Sequence, residues 1–185
     1  MSTPPTKSPR RYKPKISNAP VGSYSSGIYP DKFALAIGRL ATVWPYVEER
    51  MVGLFTELLD IPDKQSGRLI FRSIINQNIR ITIMRNLLEK SPHHKDKTAY
   101  FDELIDEFAS LNVARNTYLH GLWYTYEDGV RVFIQEKGET YDIFLVKREV
   151  PLKEITSVLK RMNDLSNKLI EREKQHHLAK ALSSP

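Results

Sequence analysis

Apolar residues recur at steps of three and four through most of the chain, and the period drops to two only between about residues 122 and 146. In the first stretch Phe33, Ile37, Leu40, Trp44, Val47, Met51, Leu54 and Leu58 fall on one face. This predicts a helix over 31–59, with Asp31 able to cap it. Pro45 lies inside, where it removes a backbone donor and crowds the preceding turn, so a kink is expected near 41–44. Ile61-Pro62-Asp63 interrupts the pattern. A second helix is predicted over 66–90, with Phe71, Ile75, Ile79, Ile83 and Leu87 in one row and Ile70, Ile74 and Ile81 beside it. Such a wide apolar face belongs at the centre of a core. Gln77, Asn78 and Arg80 interrupt it and are expected to meet either a polar cleft or water.

A third helical region is predicted over 98–119, with Phe101, Leu104, Ile105, Phe108 and Leu111 as its buried stripe. Ser110 or Asn112 can restart it, which predicts a bend. After Gly121 the alternation predicts strands over 122–127, 130–136 and 140–146, joined at Asp128-Gly129 and Lys137-Gly138. A three-stranded antiparallel meander needs one face covered, and helices must cover it. Pro151 suits the first turn of a last helix to about residue 177, whose stripe is Ile155, Leu159, Met162, Leu165 and Leu169. The expected architecture is mainly α, about four long helices with the meander inserted. One domain spans 31–178, and 179–185 form a flexible end.

Composition adds a tail and removes several chemistries. Residues 1–30 contain six of the eleven prolines and the cations Lys7, Arg10, Arg11, Lys13 and Lys15, with no acid. The formal charge of the whole chain is +6, so the rest is almost neutral. This segment is expected to be disordered or extended. Its charge suits either a polyanion such as RNA or a solvated leader. The chain has no cysteine, which excludes disulfides and thiolate metal sites and suits a cytoplasmic protein. No apolar run resembles a signal peptide or a membrane span, so no membrane partner is expected.

The segment Leu111-Asn112-Val113-Ala114-Arg115-Asn116-Thr117-Tyr118-Leu119-His120-Gly121 carries the densest chemistry. Asn116 and His120, four apart on a helix, share a face about 40° wide, and the long side chain of Arg115 reaches the same rim. Together they suit RNA cleavage without a metal. A guanidinium grips a phosphate with paired hydrogen bonds and offsets transition-state charge, and a histidine moves a proton near neutral pH. The amide orients the ring or a phosphate oxygen. A single histidine is one proton carrier short, and a twofold partner would supply the second. The plainer reading is a helix C-terminus, with His120 at the negative end of the dipole and Gly121 in the left-handed position.

The stretch resembles the signature of the HEPN superfamily, an arginine with a polar neighbour followed after four to six residues by histidine, matched here by Arg115, Asn116 and His120. About ten residues carry the motif, and the helices over 31–178 suit the family's bundle. The resemblance implies a homodimer with both motifs at one cleft and metal-independent cleavage leaving a 2′,3′-cyclic phosphate, with no cofactor. It also implies a place among toxins or antiviral defence proteins, with an antitoxin or nucleotidyltransferase as partner. Some members lack activity, so the alternative is a non-catalytic helical module binding RNA, a nucleotide or a protein.

Other features rank lower. Tyr118, Trp123, Tyr124 and Tyr126 crowd the motif, and Tyr118 and Trp123, with Arg80, are candidate RNA contacts. The competing reading packs those rings on helices. His93-His94 and His176-His177 are adjacent and chelate poorly. Glu48-Glu49 and Asp102-Glu103 read as solvated helix faces. No glycine-rich phosphate loop is present.

Overall fold

The computed structural model describes residues 24–26, 30–61, 63–90, 98–126, 132–135 and 147–183. The described chain is mainly helical. Its elements are β1 (Tyr24–Ser26), α1 (Asp31–Leu58), α2 (Lys64–Ser73), α3 (Gln77–Lys90), α4 (Thr98–His120), β2 (Leu122–Tyr126), β3 (Val132–Gln135), β4 (Lys147–Glu149) and α5 (Leu152–Ser183). No helix among the described residues is long and apolar enough to cross a membrane.

The apolar stripe of α1 is buried as its spacing predicts, from Phe33 through Leu40, Trp44, Val47, Met51 and Leu54 to Leu58, with Ile37 half-buried. Each fully buried side chain of this size contributes roughly 1.5–3 kcal/mol. One detail differs from expectation. Asp31 is the first helical residue and Pro30 holds the cap position, its carbonyl accepting from Phe33 N–H at 2.8 Å. The helix is continuous, with Pro45 inside it. It closes in a Schellman arrangement: Asp60 takes a left-handed φ of 53°, its N–H reaches the Glu57 carbonyl, and the Ile61 N–H reaches that of Thr56.

The predicted second helix is two. Asp63 caps α2, accepting from the backbone N–H groups of Gln65 and Ser66. α2 ends at Ile74, which turns extended at ψ 97°. Asn76 Oδ1 then starts α3 by accepting from Asn78 N–H at 2.9 Å. The three residues between the helices shift the phase. Ile75 is left 93% exposed and Ile79 half-exposed, while Ile81, Met84 and Leu88 form the buried row of α3. Phe71 remains in the core, edge-on to Phe55. Gly67 is buried against Thr56 of α1 so tightly that a Cβ would collide with the threonine side chain.

α4 runs unbroken past Ser110 and Asn112, and all five residues of its predicted stripe are buried. Phe108 stacks on Trp44 of α1, with centroids 5.1 Å apart and planes at 8°. α5 buries Ile155, Val158, Met162, Leu165 and Leu169 on the other side, Val158 taking the place expected of Leu159. It continues to Ser183, beyond its expected end.

The strands differ most from expectation. They are short, and all pair antiparallel in the order β1-β2-β3-β4. Residues 140–146, expected as a strand, lie outside the described residues, and β4 comes after them. β1 comes from the segment expected to be disordered or extended; it joins the edge of the sheet with Tyr24 opposite Tyr126 and Ser26 opposite Tyr124.

Charge is largely neutralised within the fold. Glu49 accepts from Arg68 and Arg72, Glu48 from Arg80, and Glu107 from Arg161 at 2.8 Å. Lys168 reaches Glu103, and Arg85 reaches Asp106. Glu48 and Glu49 thus tie helices together, while Glu103 pairs with Lys168 and stays largely exposed as expected of a solvated face. Glu57 of α1 is buried and paired with the buried Arg172 of α5. His176 Nδ1 stands 3.5 Å from the same carboxylate.

Candidate functional site at the end of α4

The last two turns of α4 carry the motif, and the local sequence explains why the helix ends there. The N–H of Gly121 bonds the Thr117 carbonyl at 3.0 Å. A Cβ on Gly121 would run into the side chain of Ile134 on β3 and would lie 2.6 Å from the Thr117 carbonyl. The glycine is therefore required by close approach of the sheet. Its φ is not in the left-handed region, which corrects the expectation that backbone conformation demands it. A second tie holds the same turn. The Tyr118 carbonyl is among the last four of the helix, which lack an intrahelical donor. It accepts from Trp123 Nε1 at 2.9 Å.

On this fixed end the three motif side chains are accessible. Asn116 and His120 are exposed, and Arg115 is half-buried. Arg115 Nη1 donates to Asn116 Oδ1 at 2.7 Å, so the long side chain does curl onto the amide of its neighbour. The guanidinium carbon lies 6.0 Å from the centroid of the Trp44 ring, and its Nε is buried with no hydrogen-bond partner. Among the described residues the His120 ring makes no hydrogen bond to either. It sits one turn beyond Asn116, open to solvent. No carboxylate pairs with Arg115 among the described residues.

Of the three lower-ranked RNA contacts two belong to the interior and the third, Arg80, is half-buried. Tyr118 and Trp123 are buried and stacked with centroids 6.1 Å apart, so neither offers a face to a base. The Tyr118 hydroxyl donates to Glu154 of α5, which also holds Arg148 of β4 through two contacts of 2.9 Å. Burial first, and this carboxylate second, push the Tyr118 phenol well above its ordinary value. Arg80 lies over Phe71 and donates to Glu48, Gln77 and the Ile74 carbonyl. It locks the break between α2 and α3. The sequence had no signal for the Trp123–Tyr118 tie or for Glu154, since both depend on which residues the fold brings together.

A cleft of about 970 Å³ lies between α4 and α5, lined by Asp102, Asp106, Glu107, Arg161, Asp164 and Lys168 among others. Its α4 residues end at Glu107, about 12 Å along the helix from Arg115. None of Arg115, Asn116 and His120 lines it. No group of three or more metal-ligating side chains gathers among the described residues; His93 and His94 lie outside them. The chain matches no protein-family model, no curated protein and no solved structure, and the reading of this site rests on its own residues.

Proposed function

We propose that the chain is a metal-independent endoribonuclease of HEPN type, acting as a homodimer in which two copies of Arg115, Asn116 and His120 share a cleft. The observation that carries the reading is that Arg115 takes an amide as its partner while Asn116 and His120 stand in solvent on the same helix end. A guanidinium bound to a neutral amide keeps its full charge for a phosphate. In the proposed reaction one imidazole removes the proton of a ribose 2′-hydroxyl. That oxygen attacks the adjacent phosphorus, the bond to the 5′ oxygen breaks, and the other imidazole protonates the leaving oxygen. Arg115 offsets the charge that builds on the phosphoryl oxygens. The product is a 2′,3′-cyclic phosphate and a free 5′-hydroxyl. A toxin or defence role, with an antitoxin or nucleotidyltransferase partner, follows from the resemblance and belongs to the same proposal.

The test is cleavage of RNA by purified protein in EDTA. Arg115→Ala and His120→Ala are each expected to slow it by about 100-fold or more while helicity and melting temperature hold. Full-rate cleavage by both variants sinks the assignment. RNA that is bound and never cut points to the non-catalytic module instead.

A further inference from the structure

Buried polar side chains are hydrogen-bonded as a rule, and an exception calls for a reason. In this fold Thr56 donates to the Val52 carbonyl at 2.8 Å, and Glu57 and Arg172 hold each other. Asn112 on α4 is as buried as these, at 7% exposed, and its amide has no hydrogen-bond partner among the described residues. Ser110 beside it differs, since its hydroxyl accepts from Arg161 Nη2 at 2.9 Å. Nor does Asn112 cap or break the helix, which continues to His120.

Asn112 precedes Arg115 by three residues and Asn116 by four, so the three are neighbours on one side of α4, with Cβ atoms about 5–6 Å apart. Along that side burial falls toward the helix end. Phe108 is fully buried, Asn112 nearly so, Arg115 half-buried and Asn116 exposed. Phe108 stacks on Trp44, and the Arg115 guanidinium lies 6.0 Å from the same ring, so Asn112 sits between two residues that meet α1. Arg115 Nε is buried there with no acceptor. A guanidinium N–H and an amide NH₂, one turn apart, both call for oxygen acceptors.

We infer that Asn112 reads the ribose of a bound RNA, its amide N–H donating to the 2′-oxygen next to the phosphate held by Arg115. The identity of the ligand rests on the ribonuclease reading. Arg161 shows how a guanidinium of this fold grips an anion: Nε and Nη2 donate to the two oxygens of Glu107, each at 2.8 Å. On Arg115, Nη1 is taken by Asn116, and the edge formed by Nε and Nη2 is the one left for a phosphate. In RNA the 2′-oxygen adjoins the 3′-phosphate, so a donor one turn from the guanidinium is placed to meet it. Donation to the oxygen leaves the hydroxyl proton for the imidazole. The 2′-hydroxyl is also the group by which a protein tells RNA from DNA, which makes Asn112 a specificity contact.

The experiment titrates the full chain and Asn112→Leu with adenosine 3′-monophosphate and with its 2′-deoxy counterpart, followed by NMR. Neither probe has a 5′ leaving group, so neither is cut. The wild-type chain is expected to bind the ribonucleotide about 3- to 10-fold more tightly, the effect of one neutral hydrogen bond. In Asn112→Leu the ratio should fall to about one, through weaker binding of the ribonucleotide at unchanged affinity for the deoxynucleotide. Leucine is close to asparagine in size and leaves no polar group unpaired, so the melting temperature should hold or rise. Asn112→Ala reads the same ratio where leucine does not fit. A ratio that persists in a folded variant overturns the inference. So does equal binding of the two nucleotides, or binding of neither, by the wild-type chain. Cleavage of RNA by Asn112→Leu at the wild-type rate, with the ratio unchanged, removes this inference and leaves the ribonuclease reading. A wild-type chain that separates the two nucleotides through Asn112 and cuts no RNA removes the ribonuclease reading alone.

Discussion

Arg172 on α5 and Arg115 on α4 each lay a guanidinium near an aromatic ring, Phe101 at 5.1 Å and Trp44 at 6.0 Å. Each leaves a buried Nε without a hydrogen-bond partner. Their remaining contacts separate them. Arg172 is itself buried and bound to the buried carboxylate of Glu57, so its charge is cancelled where it stands and α5 is tied to α1. Arg115 is half-buried at a helix end and bound to the side-chain oxygen of Asn116. A neutral amide orients the guanidinium and leaves its charge uncancelled. The difference teaches that burial and aromatic contact do not separate an arginine whose charge is cancelled from one whose charge the proposed function would use. The charge of the partner does.

The sharpest way to break this comparison is to remove each guanidinium in turn. Arg172→Met strands Glu57 in the core with His176 as its remaining ion-pair partner among the described residues, and taking one partner from a buried pair costs roughly 3–5 kcal/mol. For a chain of this size that lowers the melting temperature by about 10 °C. Arg115→Met removes no carboxylate's partner and is expected to cost about 1 kcal/mol or less. Thermal unfolding of the two variants measures both. A loss at Arg115 as large as that at Arg172 makes Arg115 a packing residue and removes the basis of the functional reading. Adding Glu57→Gln to Arg172→Met should recover part of the loss, because no unpaired charge then remains buried.

A smaller effect tests whether the sheet fixes the motif end. Gly121→Ala forces a methyl group against Ile134 and the Thr117 carbonyl. Overpacking of this kind costs roughly 1–3 kcal/mol. Ile134→Val in the same chain should recover some of it, by opening space at β3. Urea unfolding reads the stability. Crowding should also displace the turn that carries His120, so under the proposed function RNA cleavage should fall more than stability alone accounts for. An unchanged stability in Gly121→Ala means that the helix end and sheet part without cost and that the end of α4 is not clamped.

The same contrast explains what the amino-acid sequence disclosed. Periodicity located the long helices because burial of a stripe is a property of one element: Phe101, Leu104, Ile105, Phe108 and Leu111 could be placed inside without knowing what covers them. It misplaced Ile75 and Ile79 because one phase was carried through residues 74–76. The signal for the break was Asn76, a capping residue inside an apolar run. Arg115, Asn116 and His120 were legible as neighbours on one helix. Partners far along the chain were not, which is why Trp123 and Tyr118 could be read as base-stacking residues beside the favoured reading of rings packed on helices, and the tie they form was not foreseen. β1 was hidden for a related reason. Three residues in a proline- and serine-rich segment carry no period, and only the edge of β2 gives them a partner.

The smallest predicted effect concerns the other end of α4, where the charge has the opposite sign. Asp102 lines the acidic cleft, and burial, followed by the nearby Asp106, raises its carboxyl above the ordinary value, while Arg85 partly offsets the rise. A raised carboxyl binds its proton more readily in the folded chain than in the unfolded one. The term favouring folding is therefore fully present below the unfolded value of about 3.8 and is lost as pH climbs through the folded value. At pH 7 the ionised group opposes folding, so Asp102→Asn should stabilise the protein there. The gain should lie within about 0.5 kcal/mol, since the site is mostly open to water. It should vanish when unfolding is repeated below pH 3.8. A gain that survives in acid would come from new hydrogen bonds of the amide and not from lost repulsion. RNA affinity should not change with this substitution, because the anion is expected about four turns away at Arg115. A rise in affinity would show that the acidic cleft repels the same strand that the motif end attracts, and the two ends of the helix would then have to be treated as one electrostatic surface.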